Sequence, residues 1–228
     1  MKQCIYHLHI PRTSGVLIRE VIKNQNLGMS IVSGHLDKIS LSQFESANLI
    51  SGHYGTLPIK YSDKTFAIIR EPIERTFSYL KYIWSHFYSD MAIQELFDLY
   101  MSDQNLSSSI SNQQFKFLTN SIDIEQYNKN ISNLKNMVEN NWYLNSSSAS
   151  MNDLISSTYI NNMEILDYKS NTLYSDIAKI IGVEYNDKLF INKINSSPFM
   201  SKDMQSKYYD KIAKLNILDL ELYESFKS

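Results

Sequence analysis

The sequence predicts an α/β fold in which helices flank a central, mostly parallel sheet, and three observations lead to this prediction. Residues 3–10 form a strand-like segment, and a short polar turn and apolar residues at helical spacing follow it. Strand, turn and helix in this order open an α/β unit. Residues 64–70 form an almost continuous apolar run of the kind that is buried in parallel sheets. Pro72, directly after this run, suits the first turn of a helix.

The other elements follow from periodicity and from helix stop signals. Strands are predicted over residues 47–51 and within 159–166, and helices over about 73–87, over 172–181 with Gly182 as a stop, and over about 201–226. The serine-rich stretches 107–109 and 145–148 predict surface loops. The flanking segments keep helical apolar spacing, so the stretches do not act as linkers, and one domain spans residues 1–228.

The composition restricts the class of protein. The chain has 228 residues, of which 43% are hydrophobic and 20% charged, and this excludes a wholly disordered or collagen-like chain. The formal net charge of −2 provides no general attraction to nucleic acid, so a few local groups must hold any anionic ligand. The single cysteine, Cys4, excludes an intramolecular disulfide framework and a cysteine-rich zinc site. Neither a signal peptide nor a run of ~20 apolar residues is evident, so we expect a cytoplasmic protein without a membrane partner.

The turn after the first strand has the residues of an anion site. The segment 9–15 reads His-Ile-Pro-Arg-Thr-Ser-Gly. Free backbone N–H groups at a helix start attract anions, and Gly15 allows a close approach of the backbone. Thr13 and Ser14 offer hydroxyl groups, and Arg12 adds a permanent charge. By itself the segment is also compatible with an ordinary turn that carries a solvated arginine.

Two common nucleotide-binding motifs are absent at this turn. The pattern GxxxxGK[ST] does not follow the first strand, so the lysine and hydroxyl that serve ATP and magnesium are missing. The pattern GxGxxG is also absent, which argues against a dinucleotide-binding fold.

A second strand-to-helix junction carries another pair of candidate residues. Arg70 ends the buried run, and Ser78 follows eight residues later on the predicted helix. Ligands of open α/β sheets bind outside the carboxyl ends of the strands, where an arginine can grip a phosphate with two hydrogen bonds. We expect Glu71, Glu74 and Arg75 to form local ion pairs on the helix.

Five segments, taken in order, resemble the sulfotransferases that use 3′-phosphoadenosine 5′-phosphosulfate (PAPS), and most closely the carbohydrate-type branch that includes heparan sulfate 2-O-sulfotransferase. Segments 9–15 and 70–78 are similar to the two signature motifs, and the Arg70–Ser78 spacing matches without a gap. Segment 50–55 is similar to a Gly-His segment whose histidine is the base. Segments 111–118 and 219–223 are similar to an Asn-x-Gln-Thr-Arg segment and to an Asp-x-x-Leu-Tyr segment of the last helix.

The resemblance implies a P-loop-like three-layer fold and transfer of a sulfuryl group from PAPS, without a metal, to a hydroxyl or amine of a saccharide or small-molecule acceptor. It implies His53 and Arg12 as catalytic residues. The implied donor-binding residues are Arg12, Thr13, Ser14, Gly15, Val16, Arg70 and Ser78.

The chain departs from the family pattern at several positions. Arg12 replaces a lysine, Val16 and Leu17 replace Thr and Ser, and Lys116 replaces an arginine, while segment 192–197 has few of the expected cations. Two other functions therefore stay open, namely a P-loop-like small-molecule kinase and a catalytically degenerate protein that binds PAP (adenosine 3′,5′-bisphosphate) or a glycan. His35, in a second Ser-Gly-His, is the rival base.

Overall fold

One parallel sheet organises the chain. The computed structural model describes residues 3–15, 18, 29–33, 39–119, 151, 158–186 and 201–227. Within these residues the sheet has five strands in the order β2-β3-β1-β4-β5. The strands are β1 (Ile5–Leu8), β2 (Ile31–Val32), β3 (Leu49–Gly52), β4 (Lys64–Ile69) and β5 (Met163–Asp167). All four pairings are parallel, which confirms the predicted fold class.

The strand order marks a place for a ligand. From β1 the chain first builds β2 and β3 on one side, then crosses to β4 and β5 on the other. Leu8, at the end of β1, is in register with Gly52 of β3 and with Ala67 of β4. Ligands of open α/β sheets bind outside the carboxyl ends of the strands where the order reverses. The turn after β1 and the turn after β4 both lie at this edge.

Helices connect the strands and extend beyond the sheet. They are α1 (Leu41–Ser46), α2 (Pro72–Phe87), α3 (Ile93–Ser102), α4 (Gln104–Ile110), α5 (Gln113–Thr119), α6 (Thr158–Asn161), α7 (Leu173–Ile181), α8 (Lys202–Leu215) and α9 (Ile217–Lys227), with a 3₁₀ helix over Leu57–Tyr61. Gly182 ends α7 in a left-handed conformation, with φ 72°, as its stop signal predicted. None of the described helices combines the length and the apolar character that crossing a bilayer requires.

Alternating side chains of the strands build two cores, one on each face of the sheet. Tyr6 and Leu8 of β1 pack on the face that also receives Phe44, Phe115 and Leu222 from helices. Ile5, Phe66 and Ile68 pack on the opposite face with Leu173, Ile177 and Ile181 of α7. This two-sided burial explains why β4 is almost entirely apolar in sequence. A third cluster joins α2, α3, α4 and α8 beside the sheet.

Two predictions about the helical part were wrong. Residues 107–109 lie in α4 instead of a loop, because Leu106 and Ile110 pack into the third cluster and the Ser107 and Ser109 hydroxyls donate to carbonyls one turn back. The last helix is two helices, α8 and α9, since Asn216 leaves helical geometry and accepts a hydrogen bond from the backbone N–H of Asn112 at 3.0 Å. The predicted loop at 145–148 lies outside the described residues.

Candidate functional site

The turn after β1 adopts an unusual backbone conformation. Arg12 and Ser14 have φ values of 70° and 71°, in the left-handed region that residues other than glycine seldom enter. The hydroxyl of Thr13 donates to the carbonyl of Ile10 at 2.7 Å and braces the turn. Thr13, which the sequence predicts as a donor-binding residue, is fully buried, so its hydroxyl proton is used inside the turn. Such backbone conformations cluster at ligand-binding sites.

Gly15 directly follows this turn, and its lack of a side chain is sterically required. A Cβ atom at Gly15 would lie 2.0 Å from Nε2 of His9 and 2.2 Å from two ring carbons. Its φ is not in the left-handed region, so the backbone conformation itself does not demand glycine. The His9 ring therefore occupies the volume beside the Gly15 Cα.

The backbone of Arg70 is clamped at the end of β4. The side-chain amide of Gln114 accepts from the Arg70 N–H at 2.8 Å and donates to the Arg70 carbonyl at 2.9 Å. Gln114 is fully buried, and its own N–H donates to Asp219 Oδ2 at 3.1 Å. Asp219 also accepts from the Phe115 N–H at 2.7 Å, while burial raises the pKa of this carboxyl group. Gln114, which Asp219 holds in place, thus fixes the position of the Arg70 backbone.

The guanidinium of Arg70 has one N–H group, at Nε, that can still donate a hydrogen bond. Its Cζ lies 4.7 Å from the centre of the Tyr168 ring, and its Nε lies 3.8 Å from Oε2 of Glu74. This Nε is buried and makes no hydrogen bond to any residue that the structure describes. The side chain is 20% exposed. Buried donors are nearly always paired, so an anion that accepts from Arg70 Nε would complete the site.

The two junctions come together at the carboxyl edge of the sheet. Nε of Arg12 donates to Oγ of Ser78 at 3.1 Å, and the Arg12 guanidinium lies over the Tyr82 ring at 5.2 Å. Burial, together with the nearby positive charge of Arg70, lowers the pKa of Arg12. Arginine stays protonated at neutral pH even so. The two guanidinium groups, which follow neighbouring strands, are therefore close enough to interact electrostatically.

Lys81 is a third cation at this place, and it was missed from the sequence. Burial and the charge of Arg12 lower its pKa below the usual lysine value. Among the described residues it forms no ion pair. It lies one helical turn after Ser78 on α2, so helical spacing from Ser78 is the signal that can find it. Tyr168, which follows β5, was also missed, because no sequence pattern indicates its contact with Arg70.

His53 lies directly after β3, at the same edge of the sheet. Its Nδ1 is 2.5 Å from the backbone carbonyl of His9. A carbonyl only accepts, so Nδ1 carries the proton, and the neutral ring then has its lone pair on Nε2. The ring stacks on His9 at 4.4 Å and contacts Phe117 at 5.6 Å. This tautomer is the one that a base acting through Nε2 needs.

The residues expected to form local ion pairs on α2 behave differently from one another. Glu74 does pair, at 3.8 Å from Arg70 and at 2.7 Å from Lys169. The prediction was wrong for Glu71 and Arg75. Glu71 caps α2, since its carboxylate accepts from the N–H groups of residues 73 and 74. Arg75 is fully buried and donates to the side chain of Gln113, because α2 packs beside the segment that follows α4.

Two of the residues predicted from the sequence, Val16 and His35, lie outside the described residues. In the described part of the chain, no group of three or more His, Cys, Asp or Glu side chains could hold a metal ion. No known family model, curated protein or solved structure matches this chain. Its function is therefore inferred from its own residues and their geometry.

Proposed function

We propose that this protein is a PAPS-dependent sulfotransferase that transfers a sulfuryl group to a hydroxyl or amine of a saccharide or small-molecule acceptor. The observation that carries the proposal is the 3.1 Å hydrogen bond from Arg12 to Ser78, which joins the two motif-like segments. A ligand at this junction would meet cations that follow two neighbouring strands. PAPS carries its two anionic groups at the 3′ and 5′ positions of one ribose, so its charge pattern suits such a junction.

The residues at the two junctions suit a nucleotide with anionic groups at its 3′ and 5′ positions. Arg70 has a buried Nε that makes no hydrogen bond to a described residue, and a guanidinium can donate two parallel hydrogen bonds to a phosphate. Together with Ser78 it would hold the 3′-phosphate. Arg12 and the helix start at Gly15 would hold the 5′-phosphosulfate, since backbone N–H groups and the helix dipole favour an anion there.

The proposed chemistry needs a base and a stabilised leaving group. PAPS, when bound, supplies the sulfuryl group. The acceptor oxygen or nitrogen forms a bond to sulfur while the bond from sulfur to the 5′-phosphate oxygen breaks, and the acceptor proton passes to Nε2 of His53. The Nδ1–H contact with the His9 carbonyl holds His53 in the tautomer that can accept this proton. Arg12 stabilises the negative charge that develops on the departing phosphate.

The cation set favours sulfuryl transfer over ATP chemistry. The turn after β1 presents Arg12, but it lacks the Gly-Lys-Ser/Thr sequence that cradles ATP and magnesium. The local positive charge of Arg12, Arg70 and Lys81 instead suits an anion bound through side chains.

Release of PAP tests the proposal directly. Purified protein is mixed with PAPS and a panel of saccharides and hydroxylated or amino metabolites, and PAP is measured by chromatography. We expect at least one acceptor to raise PAP release, with an equimolar sulfated product. Binding of PAP without turnover on any acceptor would identify a PAP-binding protein, and tighter binding of Mg-ATP than of PAP would identify a kinase. Either result would overturn the proposal.

A further inference from the structure

His9 lies between the two halves of the candidate site. It follows β1 directly, and only 8% of its surface is exposed. The sequence explains its burial as strand packing, since His7 and His9 alternate with apolar residues. The structure adds that the His9 ring contacts both the turn and His53.

The contact with the turn is close enough to link the two positions. The His9 ring occupies the volume that a Cβ at Gly15 would need. Such a Cβ would lie 2.0 Å from Nε2 of His9. Gly15 does not need a left-handed backbone, so the His9 ring is the reason for glycine here. A shift of the turn toward the ring must therefore move the ring.

The contact with His53 has two parts. The His9 carbonyl accepts the Nδ1–H of His53 at 2.5 Å, and the two rings stack at 4.4 Å with an angle of 26° between their planes. The ring of His7 also stacks on His9, at 5.4 Å, and Phe66 stacks on His7 at 4.8 Å. Because His7 and Phe66 are fully buried in the sheet, these rings support His9 from the core.

We infer that His9 is a positioning residue that couples the turn at Gly15 to His53. This inference rests on the proposed function, in which the turn holds the donor and His53 is the base. The turn at Gly15 and His53 then move as one unit. Binding of the donor at the turn orients the His53 imidazole, which accepts the proton. His9 itself touches neither donor nor acceptor in this role.

A double-mutant cycle tests the coupling. Gly15→Ala alone forces the His9 ring, which stacks on His53, out of its place, so it should lower kcat. His9→Ala alone removes the stacking partner and should also lower kcat. In the double variant the added methyl group has no ring to meet, so Gly15→Ala should have little further effect. Contacting residues typically show non-additivity of about 2- to 150-fold. Each rate is divided by the concentration of PAP-binding sites, measured by calorimetry. This normalisation removes the effect of any unfolded protein on the apparent kcat.

A second measurement reports on the base without turnover. Imidazole NMR signals are followed during a PAP titration in wild-type protein, in His9→Ala and in His9→Phe, which restores a stacking ring. We expect PAP to shift the His53 signals in wild type and in His9→Phe, but not in His9→Ala, although PAP still binds. The His9→Phe variant also serves if His9→Ala does not fold.

The outcomes separate this inference from the proposed function. Additive losses in the cycle, or a PAP-induced His53 shift that persists in His9→Ala, would overturn the coupling while leaving the sulfotransferase proposal intact. Wild-type protein that binds no PAP would overturn the proposed function itself. Non-additive rates together with a His53 shift that depends on the ring at position 9 would establish the coupling.

Discussion

Nε of Arg12 lies 3.1 Å from the hydroxyl of Ser78, although the two residues are 66 positions apart in the chain. Each follows one of two neighbouring parallel strands, β1 and β4, which pair with Leu8 opposite Ala67. The contact is therefore a direct consequence of the sheet order. It brings together two segments that are separate in sequence, and the predictions below follow from that contact.

Replacement of Arg70 by alanine should weaken PAP binding. The guanidinium offers a buried Nε that makes no hydrogen bond to a described residue, and a charge-assisted hydrogen bond contributes about 1.5–3 kcal/mol, or about 10- to 150-fold in Kd. Isothermal calorimetry measures the change. Lys207→Ala is the matched control, since it removes an exposed cation that pairs with Asp98 on the surface. Equal affinity of Arg70→Ala and wild type would mean that Arg70 does not hold the nucleotide.

Replacement of His53 by alanine should reduce turnover and leave PAP binding nearly intact. A positioned general base contributes about 10²–10⁴ in rate, and the cations that hold the donor are unchanged. Initial rates of PAP release measure the effect, with the exposed His86→Ala as control. A His53→Ala enzyme at the wild-type rate would exclude His53 as the base, and His35→Ala is then the variant to assay.

Replacement of Gln114 by methionine should lower both stability and PAP affinity. Gln114 satisfies the N–H and the carbonyl of Arg70, and methionine leaves both unpaired in a buried place. Each such group costs about 1–3 kcal/mol. Urea denaturation measures the free energy of unfolding, and Gln104→Met, on an exposed position of α4, is the control. A variant as stable as wild type, with unchanged PAP affinity, would contradict the clamp.

Binding of PAP should weaken as the pH rises into the alkaline range. Burial and the charge of Arg12 lower the pKa of Lys81, so Lys81 loses its proton at a lower pH than an ordinary lysine. Phosphate prefers the charged ammonium, so affinity falls as that proton leaves. Lys81→Met should bind more weakly near neutral pH and show a flatter profile. Lys207→Met, which removes a lysine with a raised pKa, should keep the wild-type profile. Identical profiles for wild type and Lys81→Met would place Lys81 outside the anion site.

The sheet could be predicted because its signals are local. The apolar run of β4, Pro72 at the start of α2 and Gly182 at the end of α7 each act within a few residues. The same holds for the turn after β1 and for the Arg70–Ser78 spacing, so Arg12, Arg70 and Ser78 could be identified from the sequence. The serine-rich stretch in α4 misled the prediction because packing of its apolar neighbours overrides the preference of serine for loops.

The supporting part of the site could not be predicted in this way. Gln114 reaches Arg70 across 44 positions, and Asp219 reaches Gln114 across 105. Tyr168 contacts Arg70 only because β5 lies beside β4 in the sheet. These contacts depend on how distant segments pack, which periodicity within a single segment does not report.

Calorimetry of wild-type protein with PAP and with adenosine 5′-monophosphate tests the central claim most directly. The two nucleotides differ by the 3′-phosphate, for which Arg70 and Ser78 are the proposed ligands. We predict that PAP binds about 10- to 150-fold more tightly, as expected for charge-assisted contacts to one phosphate. Equal affinity of the two nucleotides, or no PAP binding at millimolar concentration, would contradict the account.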